Sequence, residues 1–148
     1  MHLTFHVDRL RLPVSVMLHQ VLSELALQKG NVTPLTNALT FNFRHTPYNA
    51  EDGGWHPVEI RIQQTAGVWR FCYITDFSYQ GSSDAELAKE VDFDFEHGVA
   101  SILFCKPSPI CDSDVMDFYY LWESNFLSYF SMEVFDEIEV TAEKLMKC

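Results

Sequence analysis

A chain of 148 residues has the size of one domain, residues 1–148, with a real hydrophobic core, and its 47% hydrophobic and 14% aromatic content excludes the composition of disorder. Asp and Glu number 21 against 10 Lys and Arg, for a formal charge of −11. The basic residues form no run, so direct nucleic-acid binding by counterion release is not expected, whereas a negative field suits cations or a basic protein partner. No apolar stretch reaches membrane-spanning length, and the start lacks the basic and apolar regions of a signal peptide, so a reduced, cytoplasmic protein is expected.

Taken in chain order, a short extended arm leads to Leu12-Pro13-Val14-Ser15, which reads as a helix entry with Ser15 as N-cap. Leu18, Val21, Leu22 and Leu25 give that helix, residues 15–29, one apolar face, and Gly30-Asn31 supplies a left-handed stop. From Leu39 the period changes to two. Leu39, Phe41 and Phe43 point one way, and Thr40, Asn42 and Arg44 the other.

The alternation returns with Val58, Ile60 and Ile62 set against Glu59, Arg61 and Gln63. Thr65-Ala66-Gly67 then reverses the chain into Val68–Phe77, large on both faces, as a central strand requires. Residues 83–90 are ambiguous between a helical turn and a strand. Val91, Phe93 and Phe95 alternate with Asp92, Asp94 and Glu96, a turn at Glu96-His97-Gly98 follows, and Val99–Phe104 is a further apolar run.

Pro107 and Pro109 break the pattern, and Asp112-Ser113-Asp114 place acids at the positive end of a helix expected from Val115 to about Met132. Positions 115, 119, 122, 126 and 129 form a stripe for packing on the sheet. Met116, Tyr120 and Leu127 form a second stripe, to be covered by the first helix, by the C-terminal tail or by another copy of the chain. Ile138 and Val140 alternate with Glu137, Glu139 and Thr141 in a last strand. The expected class is α+β: a twisted antiparallel sheet of five or six strands, flanked by an N-terminal helix and an aromatic-rich C-terminal helix.

The loop Tyr48–Pro57 has two readings: a shaped connection in which Asn49 and Asp52 bond back to the backbone, or a pocket for an anion or peptide built from Arg44, Tyr48, Asp52 and His56. If the loop after the long strand shares its end of the sheet, Asp76, Tyr79 and His56 converge; Asp76 is otherwise a turn former. Glu59, Asp92, Asp94, Glu137 and Glu139 give the strands an acidic wet face, either a surface for a basic partner or ordinary solvated strand. The six His show no His-x-x-x-His on a helix, and there is no Cys-x-x-Cys, calcium loop, phosphate loop or nucleophile elbow, so no metal, cofactor or catalytic residue is expected. Cys72 belongs to a strand; Cys105 and Cys111 bridge only if oxidised, and Cys148 ends the sequence.

The blocks Leu39-Thr40-Phe41-Asn42-Phe43-Arg44, Gly53-Gly54-Trp55-His56-Pro57-Val58-Glu59-Ile60, Tyr73-Ile74-Thr75-Asp76-Phe77-Ser78-Tyr79, Asp92-Phe93-Asp94-Phe95 and Trp122-Glu123-Ser124-Asn125-Phe126, with Leu12-Pro13-Val14-Ser15, resemble a bacterial family. It is catalogued as Domain of Unknown Function 2787, occurs in Vibrio and related bacteria, often on mobile genomic islands, and the resemblance spans about residues 3–141. That family is similar in fold to the mitochondrial acidic matrix protein group, whose human member is a multi-ligand complement-binding protein. The resemblance implies a helix, consecutive antiparallel strands and C-terminal helical packing, and it brings no catalytic residues.

Three functions remain open at this stage. One is a self-associating, non-enzymatic module that offers its acidic sheet face and polar loops to a protein partner. The second is a decoy imitating the phosphate charge of DNA. A hydrolase or small-ligand binder using Arg44, Asp52, His56 and Asp76 is the third.

Overall fold

The computed structural model describes residues 3–6, 12–81, 84–103 and 105–144. Phe104, His2 and Cys148 lie outside the described residues. In chain order the elements are β1 (Thr4–Phe5), α1 (Val16–Lys29), β2 (Thr36–Arg44), β3 (Val58–Thr65), β4 (Val68–Gln80), β5 (Glu86–Asp94), β6 (Val99–Ile102), β7 (Ser108–Pro109), α2 (Ser113–Ser131) and β8 (Glu137–Lys144).

The class is mixed α+β, and the sheet runs β7-β6-β5-β4-β3-β2-β8. Among the described residues its eight strands exceed the five or six expected. The two-residue strands β1 and β7 carry no alternation for a sequence to display, and β1 pairs with β4 in parallel, at Thr4↔Val68 and Phe5↔Trp69. The ambiguous segment 83–90 is settled as strand from Glu86 onward. From β2 to β7 each strand lies beside its predecessor; α2 then carries the chain across one face, so that β8 pairs with β2 at the far edge.

Both helices pack on the face formed by Leu39, Phe41, Phe43, Val58, Ile60, Ile62, Ile74, Val91 and Phe93. Ser15 caps α1 by accepting the Leu18 N–H at 3.2 Å. The left-handed stop falls on Asn31 (φ 48°), whereas Gly30 stays right-handed (φ −88°). Gly30 is needed for room, because a Cβ there would stand 2.7 Å from the Ala26 carbonyl oxygen.

Asp112, accepting the Asp114 N–H at 2.9 Å, caps α2 two residues earlier than the expected start. Val115, Tyr119, Trp122 and Phe126 bury the first stripe, while Tyr129 at its end is 37% exposed. Phe126 stacks on Trp122 at 5.3 Å and meets Phe43 edge-on at 5.0 Å, and Tyr119 meets Phe93 edge-on at 5.0 Å. Of the second stripe, Met116 and Leu127 are partly buried against the core and Tyr120 is 73% exposed.

Candidate functional site

Two places concentrate polar side chains: the sheet face opposite the helices, and a cluster under α2 where the 45–57 loop re-enters the sheet. The loop is built by its own backbone. Asn49 Oδ1 accepts the N–H groups of Glu51 and Asp52 at 3.0 and 2.8 Å, and Asn49 and Gly53 exchange backbone hydrogen bonds. Gly54 then adopts φ 139° against Tyr48, whose Cα would lie 3.0 Å from a Cβ at this position. That close approach excludes other residues.

The folded loop is fastened to β4. Tyr48 Oη accepts the Tyr79 N–H at 3.0 Å, and the two rings stand 5.0 Å apart, with the His56 ring 5.4 Å from that of Tyr48. On the other side of the loop the Thr46 N–H donates to Asp136 at 2.8 Å and the His45 ring bonds the Val134 carbonyl at 3.1 Å. Asp76 and Tyr79, expected in a loop, lie in the last part of β4, and the 45–57 loop meets them at that end of the sheet.

Asp76 pairs with Val91, but its neighbour Phe77 pairs with Lys89, so Glu90 is an extra residue on β5. A bulge of this kind re-aims a side chain. Glu90 reaches His56 together with Asp76: His56 Nδ1 lies 2.8 Å from Asp76 Oδ1 and 3.0 Å from Glu90 Oε2. Trp122 donates its indole N–H to Asp76 Oδ2 at 3.0 Å. The hydrogen bond to Asp76 raises the His56 pKa, against the lowering effect of burial and with further support from the charges of Asp76 and Glu90.

These side chains line a cavity of about 280 Å³ together with Phe118, Asn125, Phe126 and Tyr129. Of the six loop residues singled out in the sequence, Tyr48, His56, Asp76 and Tyr79 come together. Arg44 and Asp52 do not: Arg44 is exposed at the end of β2 opposite Glu137, and Asp52 is exposed at the loop tip beside Asn49. Neither Arg44 nor Asp52 lines the cavity that holds His56. Glu90 and the Trp122 donor escape sequence reading, since a bulge leaves no mark on an alternating pattern.

On the opposite face one register row runs Glu139, Asn42, Glu59, Thr75, Asp92, Ser101 across five pairings. Neighbouring strands are about 4.8 Å apart, so Glu139, Glu59 and Asp92 are separated by roughly 10 Å, near the screening length at 0.1 M salt. The interleaved neutral residues let the sheet carry these acids. Tyr73 donates its hydroxyl to Glu59, and Thr75 donates to Asp92 at 2.7 Å. Burial first, and Glu59 second, hold the Tyr73 phenol above its ordinary pKa.

Asp94 accepts the His97 N–H at 3.0 Å and lies 2.7 Å from its ring, while Arg61 makes a two-pronged bond to Glu143 at 2.9 and 2.8 Å. Glu137 and Glu139 are exposed. Tyr73, Thr75 and Glu143 join the acids expected on this face, and none of the three was singled out in the sequence. No helix among the described residues is long and apolar enough to cross a membrane.

The family described as "Protein of unknown function (DUF2787)" matches residues 15–141. No curated protein matches the chain. Among solved structures, a hypothetical protein from the VSP-II pathogenicity island of Vibrio cholerae is 40% identical, with a TM-score of 0.88 over 95% of this chain and 99% of that one. A conserved hypothetical protein from pathogenicity island VPI-2 of Vibrio cholerae O1 biovar eltor is 38% identical, with a TM-score of 0.75 over 93% of this chain and 99% of that one. The latter is described as sharing structural homology with the human P32 protein.

Proposed function

We propose that this chain, which belongs to the DUF2787 family, is a non-enzymatic protein-binding module that offers the open face of its sheet to a basic partner. The observation that carries the reading is the register row Glu139, Asn42, Glu59, Thr75, Asp92, which sets three acids on the sheet face away from the two helices, with Glu139 at its exposed edge. Of the basic groups beside the row, Arg61 is bound to Glu143 and Lys89 reaches Asp92 at 3.9 Å, which leaves Glu59 and Glu139 without a basic partner among the described residues and the face with an excess of negative charge. Such a field steers a positively charged surface toward it and fixes orientation on contact. The P32 likeness stated for the VPI-2 relative supports the same reading at the level of fold.

The roughly 10 Å spacing of the row is sparse beside duplex DNA, which carries one charge per about 1.7 Å of axis. This favours a protein partner over a DNA-imitating decoy. Self-association through the outer side of α2, where Tyr120 and Leu121 are exposed, belongs to the same proposal.

The test is affinity capture from the host with the wild type and with Glu137→Lys and Glu139→Lys, two exposed positions that carry none of the hydrogen bonds described above. The expected result is a partner bound in low salt, released as salt rises and lost with the charge reversals. Equal recovery by all three proteins would overturn the reading. Protection of DNA-binding enzymes from DNA in competition would replace it with the decoy.

A further inference from the structure

The cluster on the helix side of the sheet has an imbalance of charge. His56 Nδ1 can carry one proton, yet carboxylate oxygens of Asp76 and Glu90 both stand within 3.0 Å of it. One N–H cannot bond fully to both, and even an imidazolium between two carboxylates leaves a net negative charge in a partly buried place. Trp122 contributes a dipole to Asp76 Oδ2 but no charge. Among the described residues no Lys or Arg pairs with Asp76 or Glu90; the neighbouring Lys89 reaches Asp92 instead, at 3.9 Å.

The spacing fits a different occupant. Metal–ligand bonds of about 2.0–2.2 Å place donors roughly 3.3–3.6 Å apart around a tetrahedral ion and roughly 2.8–3.1 Å apart at right angles, as around a five- or six-coordinate ion. The observed separations are 2.8 and 3.0 Å, and one ligand atom from each of the three residues lies within 4.8 Å of the others. The indole bond to the second oxygen of Asp76 is the kind of outer contact that orients a ligating carboxylate. One imidazole nitrogen with two carboxylates suits a divalent transition ion better than Ca²⁺, which takes six to eight oxygens, or Mg²⁺, which keeps its waters.

We propose that His56, Asp76 and Glu90 form a binding site for a divalent transition-metal ion, such as Zn²⁺ or Co²⁺, in five- or six-coordinate form, with its remaining coordination positions toward the cavity beneath α2. The ion joins the 45–57 loop to β4 and to the bulge of β5, three segments otherwise held there by hydrogen bonds. This inference concerns the helix side of the sheet and stands apart from the acidic-face proposal. A second trio, half-buried Asp94 with exposed Glu96 and His97, serves as the internal control.

The experiment is Zn²⁺ titration by calorimetry, with Co²⁺ absorption spectra, on the full chain in a background where Cys105, Cys111 and Cys148 are Ser. The expected result is one ion per chain, with affinity lowered more than tenfold by Glu90→Gln and by His56→Ala and unchanged by His97→Ala. Bound Zn²⁺ should also raise the melting temperature of the parent and not of Glu90→Gln, whose fold is checked by circular dichroism. Absence of Zn²⁺ and Co²⁺ binding at 100-fold molar excess, or binding that survives Glu90→Gln in a folded protein, overturns the proposal, as does loss of the site with His97→Ala.

Discussion

Trp122, at the middle of α2, donates its indole N–H to Asp76 Oδ2 across 3.0 Å, tying the helix to the strand that holds the cluster. A carboxylate oxygen at an apolar cavity wall depends on that donor. Trp122→Phe keeps a ring in place and removes it, and leaving a partly buried acceptor unpaired costs about 1–3 kcal/mol. Urea unfolding should register a loss in that range. In Asp76→Ala, which has no acceptor for the indole, the same substitution should cost less, giving a coupling of at least about 0.5 kcal/mol in the double-mutant cycle; additive effects would mean the bond contributes nothing.

A second carboxylate links the two helices. Glu123, 6% exposed, accepts the Ser15 N–H at 3.0 Å and the Tyr119 hydroxyl at 2.6 Å, so it stands at the positive end of α1. Burial, followed by the Glu123 charge, pushes the Tyr119 phenol well above its ordinary pKa, which keeps it a donor. Hydrogen bonds to a charged group contribute about 1.5–3 kcal/mol each, so Glu123→Ala, which removes two, should lower stability by about 3–6 kcal/mol. Glu123→Gln retains an acceptor and should lose less; equal losses would show that shape rather than charge holds the junction.

The elements that a single period describes were legible in the chain. Ser15 and the Leu18, Leu22, Leu25 face marked α1, and the Phe41 and Ile60 alternations marked β2 and β3, because one buried face imposes one period. What escaped depends on contacts between distant segments. Nothing near Glu90 reveals that β5 is one residue out of step with β4, and that slip alone brings Glu90 to His56. The convergence of His56, Asp76 and Tyr79 is conditional in the sequence on which end of the sheet each segment occupies, a matter of topology. Arg44 and Asp52 are their companions by proximity in sequence, but neither lines the cavity that His56, Asp76 and Glu90 share.

The thiols should differ sharply in reactivity. Cys72 is buried, and burial, then the charge and hydrogen bonding of Glu96, push its pKa up to about 12. Relative to the ordinary 9.0, that cuts its thiolate roughly a thousandfold, whereas Cys105 and Cys111 are exposed and free. Iodoacetamide at pH 8, read by peptide mass spectrometry, should label Cys105 and Cys111 within minutes and Cys72 only after unfolding in urea. Labelling of Cys72 at the same rate in the folded protein would contradict the burial that sets its pKa.

Asp94 supplies a pH dependence whose sign can be worked out. Burial acts to raise its pKa, but the His97 N–H, the His97 ring and its charge, and the Glu96 N–H outweigh it and hold Asp94 below 3.8. A group depressed on folding contributes stability that is present above its unfolded pKa and is lost as pH falls through its folded value. The side chain is 30% exposed, so solvent screening limits the contribution to a few tenths of a kcal/mol. Wild type should therefore exceed Asp94→Asn in urea midpoint at pH 6, and the gap should shrink as pH falls below about 3.8, the ordinary value. Comparing the two proteins cancels the other carboxylates, which titrate in both. A gap that persists undiminished at pH 2.5 would assign the effect to the shape of the Glu96-His97-Gly98 turn rather than to the charge of Asp94.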